Sequence, residues 1–167
     1  MNARNAFTLV TRSDIGSLGS FLRTTDLTLS GLDDLNVRLW MELDENGRII
    51  GSAGYELSTD HRHALIRSVA VDPSRRTAGR GSELARFALD QAKKEGASTA
   101  WLFSRRSGPF WQKLGFSPAD KYELAALLGE THQVRLFEQT GQLDRETAWA
   151  CALELDTRRA GSARVID

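Results

Sequence analysis

The stretch RRTAGRGSEL, residues 75–84, sets three arginines, Arg75, Arg76 and Arg80, around two spaced glycines, Gly79 and Gly81. A valine-rich run precedes it and an amphipathic segment follows, so it reads as a loop joining the end of a strand to the start of a helix. A helix N-terminus at that point presents unpaired N–H groups and the positive end of the macrodipole, which together suit phosphate oxygens. Glycines let the backbone approach a pyrophosphate closely, and the arginines supply charge. No Gly-Lys-Ser/Thr follows, which excludes a Walker loop. Leu84 stands where a dinucleotide fingerprint has its third glycine, which excludes that motif too. What remains is R-x-x-G-x-G, Arg76 to Gly81.

Other residues with chemical potential have plain readings beside the functional ones. Glu56 and Arg67 fall on adjacent strands, within reach of each other as a structural pair or as a proton acceptor beside a carboxylate clamp. His61 and His63 sit in the turn between those strands, where a histidine is either exposed or a proton carrier. Cys151 fits a core position by strand spacing. Arg105 and Arg106 follow a buried strand and reach either a phosphate or water. No metal site is expected.

The elements that must position these groups follow from periodicity. Ala6 to Arg12 can be a first strand, and Ser13-Asp14 caps a helix carrying Ile15, Leu18 and Leu22. Residues 24–35 give a weak signal. Val37, Leu39, Met41 and Leu43 alternate with polar neighbours, and Glu45 to Gly47 turn into a strand from Arg48 to Leu57, predicting a hairpin with one wet face. Ala64 to Asp72 forms the next strand, ended by Pro73. Leu84, Phe87, Ala88 and Ala92 mark a helix from Gly81 to Glu95, stopped by Gly96. Thr99 to Ser104 is a buried strand, Pro109 to Leu114 a short helix, and Gly115-Phe116 opens another strand. Asp120 with Glu123 resembles a capping box for a helix from Lys121 to Leu128. Trp149, Cys151, Leu153 and Leu155 alternate as the last strand, before a frayed tail.

The 167 residues suffice for one domain, expected over 1–155 with the tail at 156–167. Equal numbers of basic and acidic residues, 22 each, give no global field to recruit nucleic acid or an anionic membrane. One cysteine excludes an internal disulfide framework. No apolar run approaches the roughly 18 residues of a membrane span. These features predict a cytoplasmic protein without nucleic-acid or membrane partners, and they permit a homodimer.

VAVDPSRRTAGRG, residues 69–81, resembles the acetyl-coenzyme A loop of the GNAT family of N-acetyltransferases, and GPFWQKLGF, residues 108–116, is similar to that family's late helix-and-strand element. The resemblance implies an α/β (α+β) fold with a mixed, mostly antiparallel central sheet of six to seven strands and helices on both faces. Its fourth and fifth strands would splay to admit the pantetheine arm. It implies acetyl-CoA as co-substrate, with Val69, Ala70 and Val71 facing the pantetheine and the amides of Arg76, Thr77, Ala78, Gly79, Arg80, Gly81 and Ser82 on the pyrophosphate. Ser104 falls where the family often has an asparagine near the cofactor. Trp111 takes the position of the family's tyrosine, which often protonates the leaving thiolate. An indole N–H does not surrender its proton near neutral pH, so Tyr55 and Tyr122 are the possible substitutes.

The family often has a basic glutamate on the fourth strand, where this chain has Arg67 and Ser68. Glu56 on the partner strand is then the nearest proton acceptor. The combination of GYE at 54–56, LIRSVAV at 65–71, Thr131 and Gln133 is similar to a GNAT subgroup associated with arsenic resistance and amino-acid-like substrates. The expected activity is direct acetyl transfer to the primary amine of a small, amino-acid-like molecule, with Arg67 able to form a bidentate pair with a substrate carboxylate. The alternatives are a protein N-terminal or lysine acetyltransferase, or a non-catalytic acetyl-CoA-binding sensor or interaction module.

Overall fold

The computed structural model describes residues 7–24, 31–32, 34, 36–75 and 79–153. The chain enters through a two-residue strand, β1 (Thr8–Leu9), much shorter than the segment read from the sequence. The Asp14 carboxylate accepts both the Thr11 N–H at 2.8 Å and the Thr11 hydroxyl at 2.7 Å. That cap starts a short 3-10 turn leading into α1 (Ile15–Thr24), which buries Leu18, Phe21 and Leu22.

The central hairpin is β2 (Val37–Leu43) and β3 (Ile49–Leu57), followed by β4 (His63–Val71). The expected wet face is absent from β3, where Ile50 to Glu56 are all buried because elements cover both sides of the sheet. Next come α2 (Arg80–Lys94), β5 (Thr99–Phe103) and α3 (Gly108–Lys113). β6 (Ser117–Ala119) begins later than expected: Gly115 turns the chain with φ 99° and Phe116 is a buried core side chain. α4 (Lys121–Leu127) starts as predicted, with the Asp120 carboxylate accepting from the N–H groups of Tyr122 and Glu123. α5 (His132–Thr140), with Thr131 as its N-cap, was not foreseen, and β7 (Ala148–Ala152) closes the described chain. The expected frayed tail lies outside the described residues.

The seven strands form one mixed sheet in the order β1-β2-β3-β4-β5-β7-β6, antiparallel throughout except between β4 and β5. Alternate residues of the strands serve opposite faces. Ala53, Tyr55, Ala64, Ile66, Ala100 and Leu102 pack under α2, whereas Leu65 and Trp101 pack with α4 and α5. Val37, Leu39 and Ala70 pack with α1. Each fully buried leucine of these clusters, such as Leu22, Leu65 or Leu84, contributes about 1.5–3 kcal/mol. Among the described residues no helix is long and apolar enough to cross a membrane.

Candidate functional site

The site is positioned by two irregularities of β4. Its parallel register with β5 runs only through His63↔Thr99, Ala64↔Ala100 and Leu65↔Trp101, so from Ile66 to Val71 the strand leaves its neighbour and a gap opens. On the other edge, Ser52 faces Ala70 while Gly54 faces Arg67, so three steps on β4 match two on β3. This bulge carries Ser68, a non-glycine residue with φ 60°, held by the Ser52 hydroxyl donating to the Ser68 carbonyl at 2.6 Å. The extra residue also resets the alternation, so Ala70 shares a face with α1 although Leu65 and Arg67 are odd-numbered.

At the far end of β4 stands the N-terminus of α2. Its cap is Gly79, with φ 88° and no capping side chain, so the first N–H groups of the helix carry no side-chain partner. A Cβ built on Gly79 would meet nothing within 4 Å, whereas one on Gly81 would press against Phe110 at 3.3 Å. This glycine-lined, uncapped helix end fits the pyrophosphate of acetyl-CoA. Arg76, Thr77 and Ala78 lie outside the described residues. The Arg80 side chain binds the buried Glu42 carboxylate of β2, and Arg75 pairs with Asp44 at 3.2 Å, so two of the three expected phosphate cations hold protein carboxylates here. Ser82 lies in the first turn of α2.

Near the exit of β5, the Ser104 hydroxyl accepts the Ser107 N–H at 3.1 Å and its carbonyl accepts the Trp149 indole N–H at 2.9 Å. Ser104 therefore orders the start of α3. Trp111 is a buried core residue, edge-on to Phe110 and Phe116 at 4.9 and 5.3 Å between ring centroids. Of the substitute tyrosines, Tyr55 is fully buried on the α2 face and donates to Glu95. Desolvation first and that bond second hold its phenol far above the ordinary range. Tyr122 is exposed on α4 and donates to Asp144 at 2.9 Å. Both phenols are thus committed to protein carboxylates.

On the opposite face from α2, Glu56 and Arg67 are brought together as expected, 3.0 Å apart, with side-chain exposures of 3% and 0%. Glu56 does more than pair with arginine. Its Oε1 accepts the His132 N–H at 2.7 Å and its Oε2 the Gln133 N–H at 3.3 Å, so one carboxylate neutralises a guanidinium and caps α5. The two residues read from the sequence as proton acceptor and carboxylate clamp are thus partners of each other, the structural pair that the same reading allowed. Burial pushes the Arg67 guanidinium below its usual value, and the Glu56 charge opposes that shift. The Arg67 Nε also donates to the Ser68 hydroxyl at 3.3 Å, tying the bulge to the pair.

The helix that Glu56 caps brings in a group that the sequence reading missed. The His132 Nε2 lies 2.5 Å from the Asp34 Oδ2, and the ring rests on Gly31, where a Cβ would collide with it. His61 is exposed, and His63 accepts the Trp101 indole N–H at 3.1 Å where β4 and β5 are still paired. The two turn histidines are therefore at the closed end of the strands, while His132 is next to the Glu56–Arg67 pair. Thr131 before it and Gly141 nine residues after, both helix boundaries in the structure, were the available signal. Arg105 pairs with Glu146 at 3.5 Å. Cys151 is half-buried, its thiol pushed up by burial.

A splayed pair of parallel strands, a bulge on one of them and an uncapped helix at its end make a groove along β4 that finishes on backbone N–H groups without a side-chain cap. The chain belongs to the acetyltransferase (GNAT) family, whose model matches residues 16–116. Among solved structures it resembles N-acetylglutamate synthase from Neisseria gonorrhoeae complexed with coenzyme A and N-acetyl-glutamate, with TM-score 0.68 and 16% identity, over 90% of this chain and 36% of that one. The chain thus spans about a third of the length of that enzyme. It also resembles Rv2747 from Mycobacterium tuberculosis in complex with CoA and NLQ, with TM-score 0.67 and 16% identity, over 88% of this chain and 99% of that one. Tetrahymena GCN5 gives TM-score 0.66 and 14% identity, over 89% and 96%. No curated protein sequence matches the chain. These comparisons lend no support to the narrower likeness to the arsenic-resistance subgroup.

Proposed function

We propose that the protein moves the acetyl group of acetyl-CoA directly to the primary amine of a small, amino-acid-like molecule. The observation that carries this reading is the gap beyond Leu65, with an uncapped glycine-lined helix end at one extremity and a buried polar cluster on the other face. Acetyl-CoA supplies the activated thioester. The chain's own groups would hold it: the backbone of Val69, Ala70 and Val71 along the gap, and the amides at the start of α2, from Gly79 to Ser82, at the pyrophosphate. A backbone N–H of β4 polarises the carbonyl, a contact of the kind worth roughly 3 kcal/mol. The bulge at Ser68 re-aims these backbone groups toward the gap. Trp111 contributes packing and no proton, and a thiol of pKa about 8.5 leaves without an enzymic acid.

The amino-acid-like class is supported by the buried charge of the acceptor face. Arg67 and the N-terminus of α5 are positive groups on that face, set against the carboxylates of Glu56 and Asp34, so an acceptor that carries charges of both signs finds complements there. The titles of two structural neighbours name N-acetyl-glutamate and NLQ as bound molecules, which agrees with this class without establishing it for a chain at 16% identity. The test is thiol release from acetyl-CoA with matched acceptors: amino acids, the corresponding amines lacking the carboxylate, peptides and polyamines. The reading predicts the highest kcat/KM for an amine bearing a carboxylate. Equal values for each matched pair would remove the amino-acid class, and a preference for peptides would replace the small molecule by a protein acceptor.

A further inference from the structure

The transfer requires a neutral amine, yet an alkylamine of pKa about 10 arrives protonated at neutral pH. Glu56 is poorly suited to take that proton, since three N–H groups already bind its two oxygens. We infer that His132, oriented by Asp34, is the catalytic base. The inference rests on the proposed acetyl transfer to an amine that enters on the α5 face.

Four observations converge on this pair. First, the chain places His132 on the first turn of α5, directly above Glu56, which pairs with Arg67 two residues past the last β4 position joined to β5. Second, the Asp34 carboxylate meets Nε2 at 2.5 Å and leaves Nδ1 without a partner among the described residues. That arrangement fixes the tautomer with the proton on Nε2 and a lone pair on Nδ1, the orientation a carboxylate imposes on a working imidazole. Third, the side chains are one-third exposed, at 33% for His132 and 32% for Asp34, so a substrate can reach a ring that is nonetheless held in place. Gly31 lets the loop lie flat on that ring. Fourth, the neighbouring Gln133 is buried and its side-chain oxygen has no hydrogen-bond partner among the described residues, an acceptor for which a substrate N–H is the complement.

The charged groups around the ring are Asp34 from the loop before β2, Glu56 from β3 beneath its backbone N–H, and Arg67 from β4 behind Glu56. In the step, Nδ1 takes one proton from the substrate ammonium. The neutral amine forms the C–N bond as the C–S bond breaks, a second amine proton leaves with the sulfur as thiol, and the imidazolium returns its proton to solvent.

The test compares wild type, His132→Gln and Asp34→Asn. Glu56 is held by the backbone of residue 132, so His132→Gln leaves the brace between β3 and α5 intact, and the melting temperature rise with acetyl-CoA should persist. The expected loss in kcat/KM is about 10²–10⁴-fold for an alkylamine at neutral pH. The loss should be much smaller for an acceptor of low pKa, which is neutral when it binds. Asp34→Asn removes the carboxylate that orients the ring, so it should lower kcat/KM for the alkylamine and spare the acceptor of low pKa. Without turnover in the wild type, the failure lies with the proposed function. With a turning-over wild type, an unchanged rate and pH profile in His132→Gln would overturn the base. So would an equal loss for high- and low-pKa acceptors. In the apo protein, NMR should show the His132 ring signals shifting on addition of the amine alone; a ring insensitive to the amine would also overturn the assignment.

Discussion

Two strand glutamates, one at each end of the gap, solve different problems with the same ion pair. Glu42 of β2 and Glu56 of β3 are both almost fully buried, and each binds an arginine. Arg80, the partner of Glu42, is the first residue of α2 and keeps 31% of its side chain exposed; Arg67, the partner of Glu56, keeps none. The first arginine stays within reach of an incoming anion. The second is sealed, and its glutamate also caps α5. A buried pair costs desolvation that its own attraction barely repays, so its value lies in what it positions. Here that is His132.

The largest effect should follow from breaking the sealed pair. Glu56→Ala leaves Arg67 charged and buried and takes the carboxylate from the His132 and Gln133 N–H groups, and should lower stability by about 3–5 kcal/mol in urea unfolding. A loss under 1 kcal/mol would mean that α5 is held by its apolar contacts alone. Gly31→Ala comes next, because it combines φ 75° with a Cβ inside the van der Waals shell of the His132 ring. It should cost about 1–3 kcal/mol and shift the His132 NMR signals, whereas an unshifted ring would show that the loop does not set its orientation.

Tyr55→Phe removes a buried hydroxyl from Glu95 and should cost about 1 kcal/mol in stability while leaving kcat unchanged. A fall in kcat would return Tyr55 to the chemistry. Smallest is Arg75→Ala, which breaks a bridge whose arginine is 45% exposed and should change stability by less than about 1 kcal/mol.

Acid sharpens the same contrast. The Asn36 N–H, and after it His132, hold the Asp34 carboxyl below its usual value. A depressed folded-state pKa contributes stability that is present above about pH 4 and lost as the pH falls through the lower folded value. Unfolding of the wild type should therefore become easier below about pH 4, and Asp34→Asn should show less of that change.

Most of the fold was legible because its elements carry strong periodicity or strong punctuation. Val37, Leu39 and Met41 are buried in β2 as their alternation implied, and Asp120 caps α4 through the predicted first turn. The glycine-marked start of α2 was legible because a helix end and its glycines are local in sequence. The acceptor face was not. Glu56 and His132 are 76 positions apart, and His132 and Asp34 are 98 apart, so nothing in the spacing joins them. α5 escaped for a simpler reason: Val134 is its one fully buried apolar side chain, leaving little helical period to read. The pairing of Glu56 with Arg67 was foreseen, but its burial was not, because alternation in β2 suggested a wet face that β3 does not have.

The central claim is that the two ends of the gap have separate duties, acetyl-CoA at the start of α2 and the amine beside α5. Initial rates with both substrates varied, in wild type and in Gly81→Val, test it most directly. The side chain added at the helix end should raise KM for acetyl-CoA at least about tenfold, a change of roughly 1.4 kcal/mol, and leave KM for the amine unchanged. A variant in which acetyl-CoA binds as before, or in which only the amine KM rises, would contradict the account.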